Sequence, residues 1–415
     1  MQVNSERLID SLNQMSKIGF VSKEEGINRL ALNGDDKKAR DLFVRWLRNE
    51  GLNVTIDPIG NIVGIREGYL GLTDPVVMGS HLDTVSQGGA FDGAIGVLGG
   101  LEVIRTLNDN KLTTEKPVAV IDFTHEEGPR FNRNMMGSVA LTGAIPLDEI
   151  YAMKDKDGVT VLEALKKTDY LGTDPWMKAS RYLELHIEQG PVLEMEEKEV
   201  GVVEGIQGIV WYECFFEGES SHAGPTPLEA RKDSLLGAAD LFCHLRELAV
   251  SRRDGTVVTV GCCSISPNEI NVIPGRTEFT IDMRQFDHNR FVEMKTLIKD
   301  LVRDIAEKHS LEWGMRLRTE VLPVAFNKEV VDVIESSTKK LGYSFKRMPS
   351  AAGHDAQLMH AVCPTGMIFV PSIGGISHSP KEFSRYEDII KGTNVLLQSI
   401  LALAGISGEC GSERS

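Results

Sequence analysis

Short apolar segments alternate with amphipathic helices along most of this 415-residue chain. Strands are predicted at residues 53–56, 61–65, 75–79, 117–123 and 181–185, and helices at 35–50, 96–107 and 161–167. Strands that alternate with helices form mainly parallel sheets with helices on both faces. This pattern therefore predicts an α/β domain of three layers, αβα.

The alternation changes near residue 207. From there the predicted order is strand 209–216, helix 232–250, strands 255–264 and 276–283, helix 289–309 and strand 311–318. This βαββαβ order is typical of the ferredoxin-like fold. The α/β pattern then returns with helix 328–341, strand 367–370 and helix 385–403. We predict a catalytic domain formed by 1–207 and 322–415, an inserted ferredoxin-like α+β domain at 208–321, and a frayed tail at 407–415.

Composition excludes several classes of partner. The chain has 60 acidic and 45 basic residues, a formal net charge of -15, and no basic stripe, which argues against nucleic acid or an anionic membrane as partner. An anionic substrate would need a local cationic pocket. Six cysteines without a CxxC pair, and an N-terminus without a signal-peptide pattern, predict a cytoplasmic protein with reduced thiols.

Several predicted strands lead into residue types that bind metals. Ligands of open α/β sheets lie beyond the carboxyl ends of the strands, so we expect these side chains to meet at one edge. A glycine-rich turn that opens a helix adds one more carboxylate. The candidate ligands are His81, Asp92, Glu127, His186 and His378.

Three imidazoles and two carboxylates suit Zn, Mn, Co or Ni. Five ligands exceed the needs of one tetrahedral zinc with an open position, but they fit two metals bridged by a carboxylate. Asp83 is placed to accept the other ring N–H of His81 and so to fix its tautomer.

Two adjacent carboxylates, Glu126 and Glu127, follow the strand at 117–123. Neighbouring side chains of a strand point to opposite faces, so both can face one site only where the strand has become a turn, as Gly128 and Pro129 indicate. One carboxylate can then bind metal, while Glu126 acts as general base.

Each of these residues also has an ordinary interpretation. A single histidine is more often structural than a ligand, the Glu126–Glu127 pair alone suits a solvated turn, and Asp83 or Asp92 alone suits a helix cap. Their occurrence together favours a metal site. The histidines assigned to structural or surface positions are His125, His244, His288, His309 and His360.

Seven segments make the chain similar to a known family: GSHLDTVSQGGAFDGAIG, HEEGPRF, ELHIEQGPVLE, SSHAGPTP, NEINVIPG, SAAGHDAQ and GGISHSP. They resemble the amidase branch of the metallopeptidase-like hydrolases, which contains N-carbamoyl-L-amino acid hydrolases, β-ureidopropionases and allantoate amidohydrolases. The resemblance implies a two-metal centre bridged by Asp92, with Glu126 as base. It also implies that the inserted domain closes over the substrate and forms a homodimer interface.

The resemblance further implies a set of substrate-binding residues. His222 would polarise the ureido carbonyl, Asn271 would hydrogen-bond the substrate, Arg284 would clamp its carboxylate, and Gly353 would offer a backbone N–H. The ordinary interpretations are a surface histidine, a turn asparagine and an arginine paired with a neighbour such as Asp282.

Among the family's activities, the sequence favours hydrolysis of N-carbamoyl-L-amino acids. Residues 207–211 read Gln-Gly-Ile-Val-Trp, where allantoate enzymes resemble one another in a polar Gly-Gln-Arg segment. Met135 and Met136 could line an apolar side-chain pocket or simply pack in the core. Allantoate and N-carbamoyl-β-alanine stay open as substrates. Outside this class, an aminopeptidase, an aminoacylase or a non-catalytic binding protein are the alternatives.

Overall fold

The computed structural model describes residues 1–71 and 73–406. The predicted frayed tail at 407–415 lies outside them. Contacts within the chain separate two units, one formed by Met1–Glu204 together with the segment from Phe326 onward, the other by Gly205–Ala325. Each unit has its own sheet and its own core.

The first unit contains most of the helices and strands. Its first part comprises α1 (Ser5–Ser16), β1 (Phe20–Ser22), β2 (Gly26–Ile27), α2 (Gly34–Asn49), β3 (Asn53–Ile56), β4 (Ile62–Arg66), β5 (Val76–His81), α3 (Ala94–Asp109), β6 (Val118–Phe123), α4 (Met136–Leu141), α5 (Leu147–Ala152), α6 (Val161–Thr168), β7 (Arg181–Ile187), α7 (Val192–Met195) and β8 (Val200–Ile206).

The second unit and the return of the chain complete the order of elements. The second unit comprises β9 (Gly208–Glu217), β10 (Ser221–His222), α8 (Ser234–Arg252), β11 (Val257–Thr259), β12 (Cys263–Ser266), β13 (Val272–Ile273), β14 (Arg276–Gln285), α9 (His288–Lys308), β15 (Glu312–Val321) and β16 (Val324–Ala325). The first unit then resumes with α10 (Lys328–Lys340), β17 (Phe345–Ser350), α11 (Asp355–Met359), β18 (Thr365–Val370) and α12 (Tyr386–Ala404).

The sheet of the first unit runs in the order β8-β18-β7-β5-β6-β4-β3. Its four central strands are parallel, and antiparallel pairs flank them on both sides. β5, β6 and β18 are buried along their whole length, as strands covered on both faces must be. The predicted mainly parallel α/β sheet is confirmed.

Helices cover both faces of this sheet, as two adjacent residues of β7 show. Leu185 packs against α3, where a Cβ added at Gly96 would lie 2.6 Å from its carbonyl oxygen. Glu184, which points to the opposite face, accepts a hydrogen bond from the N–H of Ala356 in α11. The carboxyl ends of β5, β6, β7 and β18 therefore share one edge between two helical layers.

The second unit is an antiparallel sheet in the order β11-β14-β9-β15, packed against α8 and α9 through a common apolar core. The predicted strand 255–264 is in fact two strands, β11 and β12, with a shift in register against β14 between them, since Thr259 pairs with Asp282 but Cys263 pairs with Phe279. The sequence analysis did not predict β8, β17 or α1. None of the helices in the described chain is long and apolar enough to cross a bilayer.

Candidate metal centre and active site

The two carboxylate oxygens of Asp92 face different histidines. Oδ1 lies 3.1 Å from Nε2 of His186 and 3.7 Å from Nε2 of His81. Oδ2 lies 3.6 Å from Nε2 of His378. A carboxylate with one oxygen directed to each side is suited to join two metal positions.

Glu127 completes the second of these positions. Its Oε2 lies 3.0 Å from Nε2 of His378, and its Oε1 is buried with no hydrogen-bond partner among the described residues. Three groups of possible donors have ligand atoms within 4.8 Å of one another, and two of these groups contain Asp92, while the third is Glu184, His186 and His354. We call His81, Asp92 and His186 the inner triad, and Asp92, Glu127 and His378 the outer triad.

Main-chain carbonyls orient both histidines of the inner triad. Nδ1 of His81 lies 3.0 Å from the carbonyl oxygen of Asp83, and Nδ1 of His186 lies 2.9 Å from that of Ile187. A carbonyl oxygen can only accept, so Nδ1 is the donor in each ring and Nε2 is directed at Asp92. Metal-ligating histidines are held in this way.

Asp83 contacts the His81 ring through its main-chain carbonyl and not, as predicted, through its carboxylate. The main-chain carbonyl of Asp83 receives the ring N–H, while its carboxylate Oδ1 is 3.8 Å away. That carboxylate instead accepts the main-chain N–H groups of Glu126 at 3.0 Å and Glu127 at 3.3 Å. The side chain is thus committed to the turn that carries the two glutamates.

This turn brings both glutamates to the site. β6 ends at Phe123, and His125 then takes a left-handed conformation with φ 57°, so the alternation of the strand is lost. Oε2 of Glu126 lies 3.6 Å from Nε2 of His81, yet Glu126 belongs to neither triad. It is an unligated carboxyl beside the donor cluster.

Close packing around His81 requires a glycine at position 93. Gly93 has φ 62°, and a Cβ there would lie 2.4 Å from Cε1 of the imidazole. A side chain at this position would collide with the ring, so the turn that carries Asp92 can approach His81 only through glycine.

The electrostatics of the cluster favour positive charge between its carboxylates. Burial raises the pKa of Glu127, and the neighbouring Asp92 carboxylate raises it further. Burial alone would lower the pKa of His186, but Asp92, together with Glu184 and the Ile187 carbonyl, outweighs burial and raises it to about 9. Burial lowers the pKa of His81 to about 4, which keeps its ring neutral. Crowded anions, nitrogen and oxygen donors and an orphaned Glu127 oxygen together fit divalent cations.

Three residues that support Asp92 were not found from the sequence. Gln189 Nε2 and Ser377 Oγ donate to its Oδ2 at 2.8 and 2.7 Å. Glu382 accepts the main-chain N–H groups of Phe91 and Asp92 at 3.0 and 3.1 Å. Gln189 and Ser377 lie next to ligand-bearing motifs, but Glu382 lies 290 positions from Asp92 and gives no local signal.

Three predicted substrate-binding residues belong to the second unit. His222 is exposed, and its Nδ1 accepts the N–H of Gly224 at 3.1 Å. The next residue, Ala223, donates its N–H to the carbonyl of Asn271 at 2.9 Å, so His222 and Asn271 are neighbours. Arg284 forms a two-pronged ion pair with Asp282, with distances of 3.2 and 2.9 Å.

Gly353 lies in the first unit beside Met135. A Cβ added at Gly353 would lie 3.5 Å from Cε of Met135, and Met135 is half-buried with its N–H donated to the carbonyl of Glu126. Met136, by contrast, is fully buried in the core. Of these two methionines, Met135 is therefore the one that can line a pocket.

Comparisons with known proteins identify the family of this chain. Residues 77–402 match the profile described as peptidase family M20/M25/M40. An N-carbamoyl-L-amino acid amidohydrolase of Geobacillus stearothermophilus is 39% identical, covering 97% of this chain and 99% of that protein. An allantoate amidohydrolase of Escherichia coli is 33% identical, covering 91% of this chain and 93% of that protein.

Solved structures show the same relationship. The crystal structure of an amidase of the hydantoinase/carbamoylase family from Burkholderia multivorans superposes with a TM-score of 0.94 at 42% identity. The match covers 97% of this chain and 98% of that chain.

Proposed function

Because this chain belongs to peptidase family M20/M25/M40, we propose that it is a metal-dependent amidohydrolase that cleaves the terminal ureido C–N bond of N-carbamoyl-L-amino acids. The products are the free amino acid, CO₂ and ammonia. The observation that carries the proposal is Asp92, whose two oxygens face the histidines of two separate triads beside the unligated Glu126. The similarity to an N-carbamoyl-L-amino acid amidohydrolase supports the substrate class.

The two triads would hold one divalent ion each, with Asp92 shared. Zn, Mn, Co and Ni all accept this nitrogen and oxygen donor set. When bound, the ions would polarise the ureido carbonyl and lower the pKa of a water molecule toward about 7.

Glu126 is the proton carrier in this proposal. Burial and the neighbouring carboxylates of Asp355, Glu127 and Asp83 raise its pKa well above the ordinary value. A carboxyl with a raised pKa can take the proton of the attacking water and then return it to the leaving nitrogen. Its N–H bond to Asp83 holds it beside His81 for both transfers.

The second unit would supply the groups that recognise substrate. His222 would stabilise the developing oxyanion, Asn271 would hydrogen-bond the substrate, and Arg284 would bind its carboxylate. In the structure the guanidinium of Arg284 is paired with Asp282, so Arg284 would have to exchange this carboxylate for that of the substrate, and the support for its role is the family resemblance. Gly353 would add a main-chain N–H from the first unit.

We also propose roles for the inserted domain and a location for the enzyme. Residues 208–321 would act as a lid and as the interface of a homodimer, and the enzyme would work on small molecules in the cytoplasm. The family resemblance supports both roles of the inserted domain.

Allantoate is the second candidate substrate, because an allantoate amidohydrolase shares 33% identity with this chain. Ile209 and Val210 argue against it, since both are apolar at a segment where allantoate enzymes carry polar residues. N-carbamoyl-β-alanine is a third ureido substrate of the same chemistry, and a peptide or N-acyl amino acid would use the same donors on a different amide.

A substrate panel that measures both released ammonia and released free amino acid tests the proposal. The metal-loaded enzyme is given N-carbamoyl-L-methionine, N-carbamoyl-β-alanine, allantoate, N-acetyl-L-methionine and a dipeptide. We expect the highest kcat/KM with N-carbamoyl-L-methionine and no free amino acid from the last two. Preference for allantoate would move the chain to the second candidate, and cleavage of the dipeptide alone would overturn the proposal.

A further inference from the structure

We propose that Glu382 is a positioning residue that holds Asp92 and the loop of His378 in one geometry, and thereby sets the metal affinity of the outer triad. This inference rests on the proposed function, because it concerns the same two metal positions. It assigns a role to a buried carboxylate that contacts neither ion position directly.

One carboxyl group joins two distant segments of the chain. Oε1 of Glu382 accepts the main-chain N–H groups of Phe91 and Asp92. Its Oε2 lies 3.0 Å from Oγ of Ser377, and that hydroxyl lies 2.7 Å from Oδ2 of Asp92. The backbone of Asp92 is therefore bound directly by Glu382. The carboxylate of Asp92 shares the Ser377 hydroxyl with Glu382, and the single proton of that hydroxyl is donated to one of the two carboxylates at a time.

The turn before Asp92 is shaped around this carboxyl. Glu382 is only 6% exposed, and a Cβ added at Gly89 would lie 2.2 Å from its Oε1. A residue with a side chain at position 89 would displace the carboxyl. The glycine-rich turn therefore has a second purpose besides opening α3, since it admits Glu382 to the backbone of the bridging residue.

The outer triad depends on this link more than the inner triad does. The rings of His81 and His186 are each fixed by a main-chain carbonyl. The His378 ring is 52% exposed, and its ion pairs within the described residues are with Glu127 and Asp92. His378 also has φ 52°, so its position depends on the loop that begins at Ser377 and returns at Glu382.

Substitutions at Glu382 can distinguish the effect of its hydrogen bonds from the effect of its negative charge. In Glu382→Gln, the amide oxygen can accept both main-chain N–H groups, and the amide NH₂ can donate to Ser377, whose hydroxyl still donates to Asp92. All contacts survive without the negative charge. Glu382→Ala removes every one of them, and Ser377→Ala removes only the link to the carboxylate of Asp92.

Cobalt titration of the chelator-treated full chain, followed by calorimetry and by visible absorption, tests the inference. We expect wild type to bind two Co²⁺. Glu382→Ala should weaken one of them by about 10- to 100-fold, the usual effect of losing a supporting partner, and change its absorption band while the other is kept. Glu382→Gln should stay within a few-fold of wild type.

Asp57→Asn is the matched control, because Asp57 is a buried carboxylate that also accepts two main-chain N–H groups and does not touch Asp92. It should leave both cobalt affinities unchanged. Wild-type affinities in Glu382→Ala, or equal losses in Glu382→Ala and Glu382→Gln, would overturn the inference. If Glu382→Ala does not fold, Ser377→Ala decides, since selective weakening supports positioning and no change contradicts it. Failure of wild type to bind two ions would instead refute the proposed function.

Discussion

The carboxylate of Asp83 accepts the main-chain N–H of Glu126 at 3.0 Å, across 43 positions of the sequence. The same carboxylate accepts the N–H of Glu127 at 3.3 Å. Asp83 therefore holds the turn that carries two carboxyl groups for which we propose different roles, Glu126 as general base and Glu127 as a metal ligand. It does so from the residue whose carbonyl also orients His81.

Asp83→Asn should reduce kcat about 10- to 100-fold with little change in KM. An asparagine offers one acceptor oxygen in place of two, so one of the N–H groups of Glu126 and Glu127 would face an NH₂ group. Steady-state ammonia release measures the effect, and metal analysis of the same sample checks the ligands. A KM increase with kcat unchanged would contradict a role in orienting the base.

Glu126→Gln should retain both metals and lose about two to four orders of magnitude in kcat, because a carboxamide cannot carry the proton. The adjacent Glu127→Gln is the matched comparison. It should weaken metal binding at the outer triad, because the altered group is a ligand. Near-normal turnover by Glu126→Gln would remove this residue from the mechanism.

Arg284→Lys should raise KM for N-carbamoyl-L-amino acids about tenfold, since an ammonium cannot reproduce the two-pronged contact and a charge-assisted hydrogen bond contributes about 1.5–3 kcal/mol. Kinetics with the matching carboxamide substrate serve as the reference, where we expect little change. Arg318→Lys is the control, because Arg318 pairs with Glu213 in the same unit. Equal impairment on acid and amide would argue against the clamp.

Asp57 should make the free energy of unfolding depend on pH. Burial raises the pKa of Asp57 to about 7 in the folded chain, against about 3.9 for an unfolded aspartate. Between these values the folded state binds the proton more tightly, so stability is fully present below about pH 4 and is lost as pH rises toward 7. Denaturant unfolding at pH 5 and pH 8 should show a steeper loss for wild type than for Asp57→Asn. Both proteins have the same metal donors, so any pH dependence from those donors is common to the two. An equal loss of unfolding free energy in wild type and Asp57→Asn would therefore contradict the raised pKa of Asp57.

Part of the candidate site could be predicted because several of its residues lie at or just after strand ends, whereas Asp92 lies in the turn before α3 and His378 in the loop after β18. His81 is the last residue of β5, His186 is the last but one of β7, and the two glutamates follow β6. Parallel strands bring such residues to one edge, so local pattern and topology together were sufficient.

Other features depend on contacts that no local pattern encodes. Glu382 reaches Asp92 across 290 positions, and the carboxylate of Asp83 faces the turn after β6 although it follows a different strand. The break between β11 and β12 is a shift in register against β14, at which Cys262 donates its N–H to the hydroxyl of Thr280. In each case a main-chain N–H donates to a side chain that is distant in sequence. The tertiary fold places that side chain, and local sequence does not indicate which one it is.

Reconstitution of the chelator-treated enzyme with metal tests whether Asp92 joins two metal positions. Mn²⁺ is added in known ratio to protein, bound metal is counted, and ammonia release from N-carbamoyl-L-methionine is followed in the same samples. We expect no activity without metal, and full activity at two ions per chain. Full activity without metal, or saturation at a single bound ion, would contradict two triads joined by Asp92.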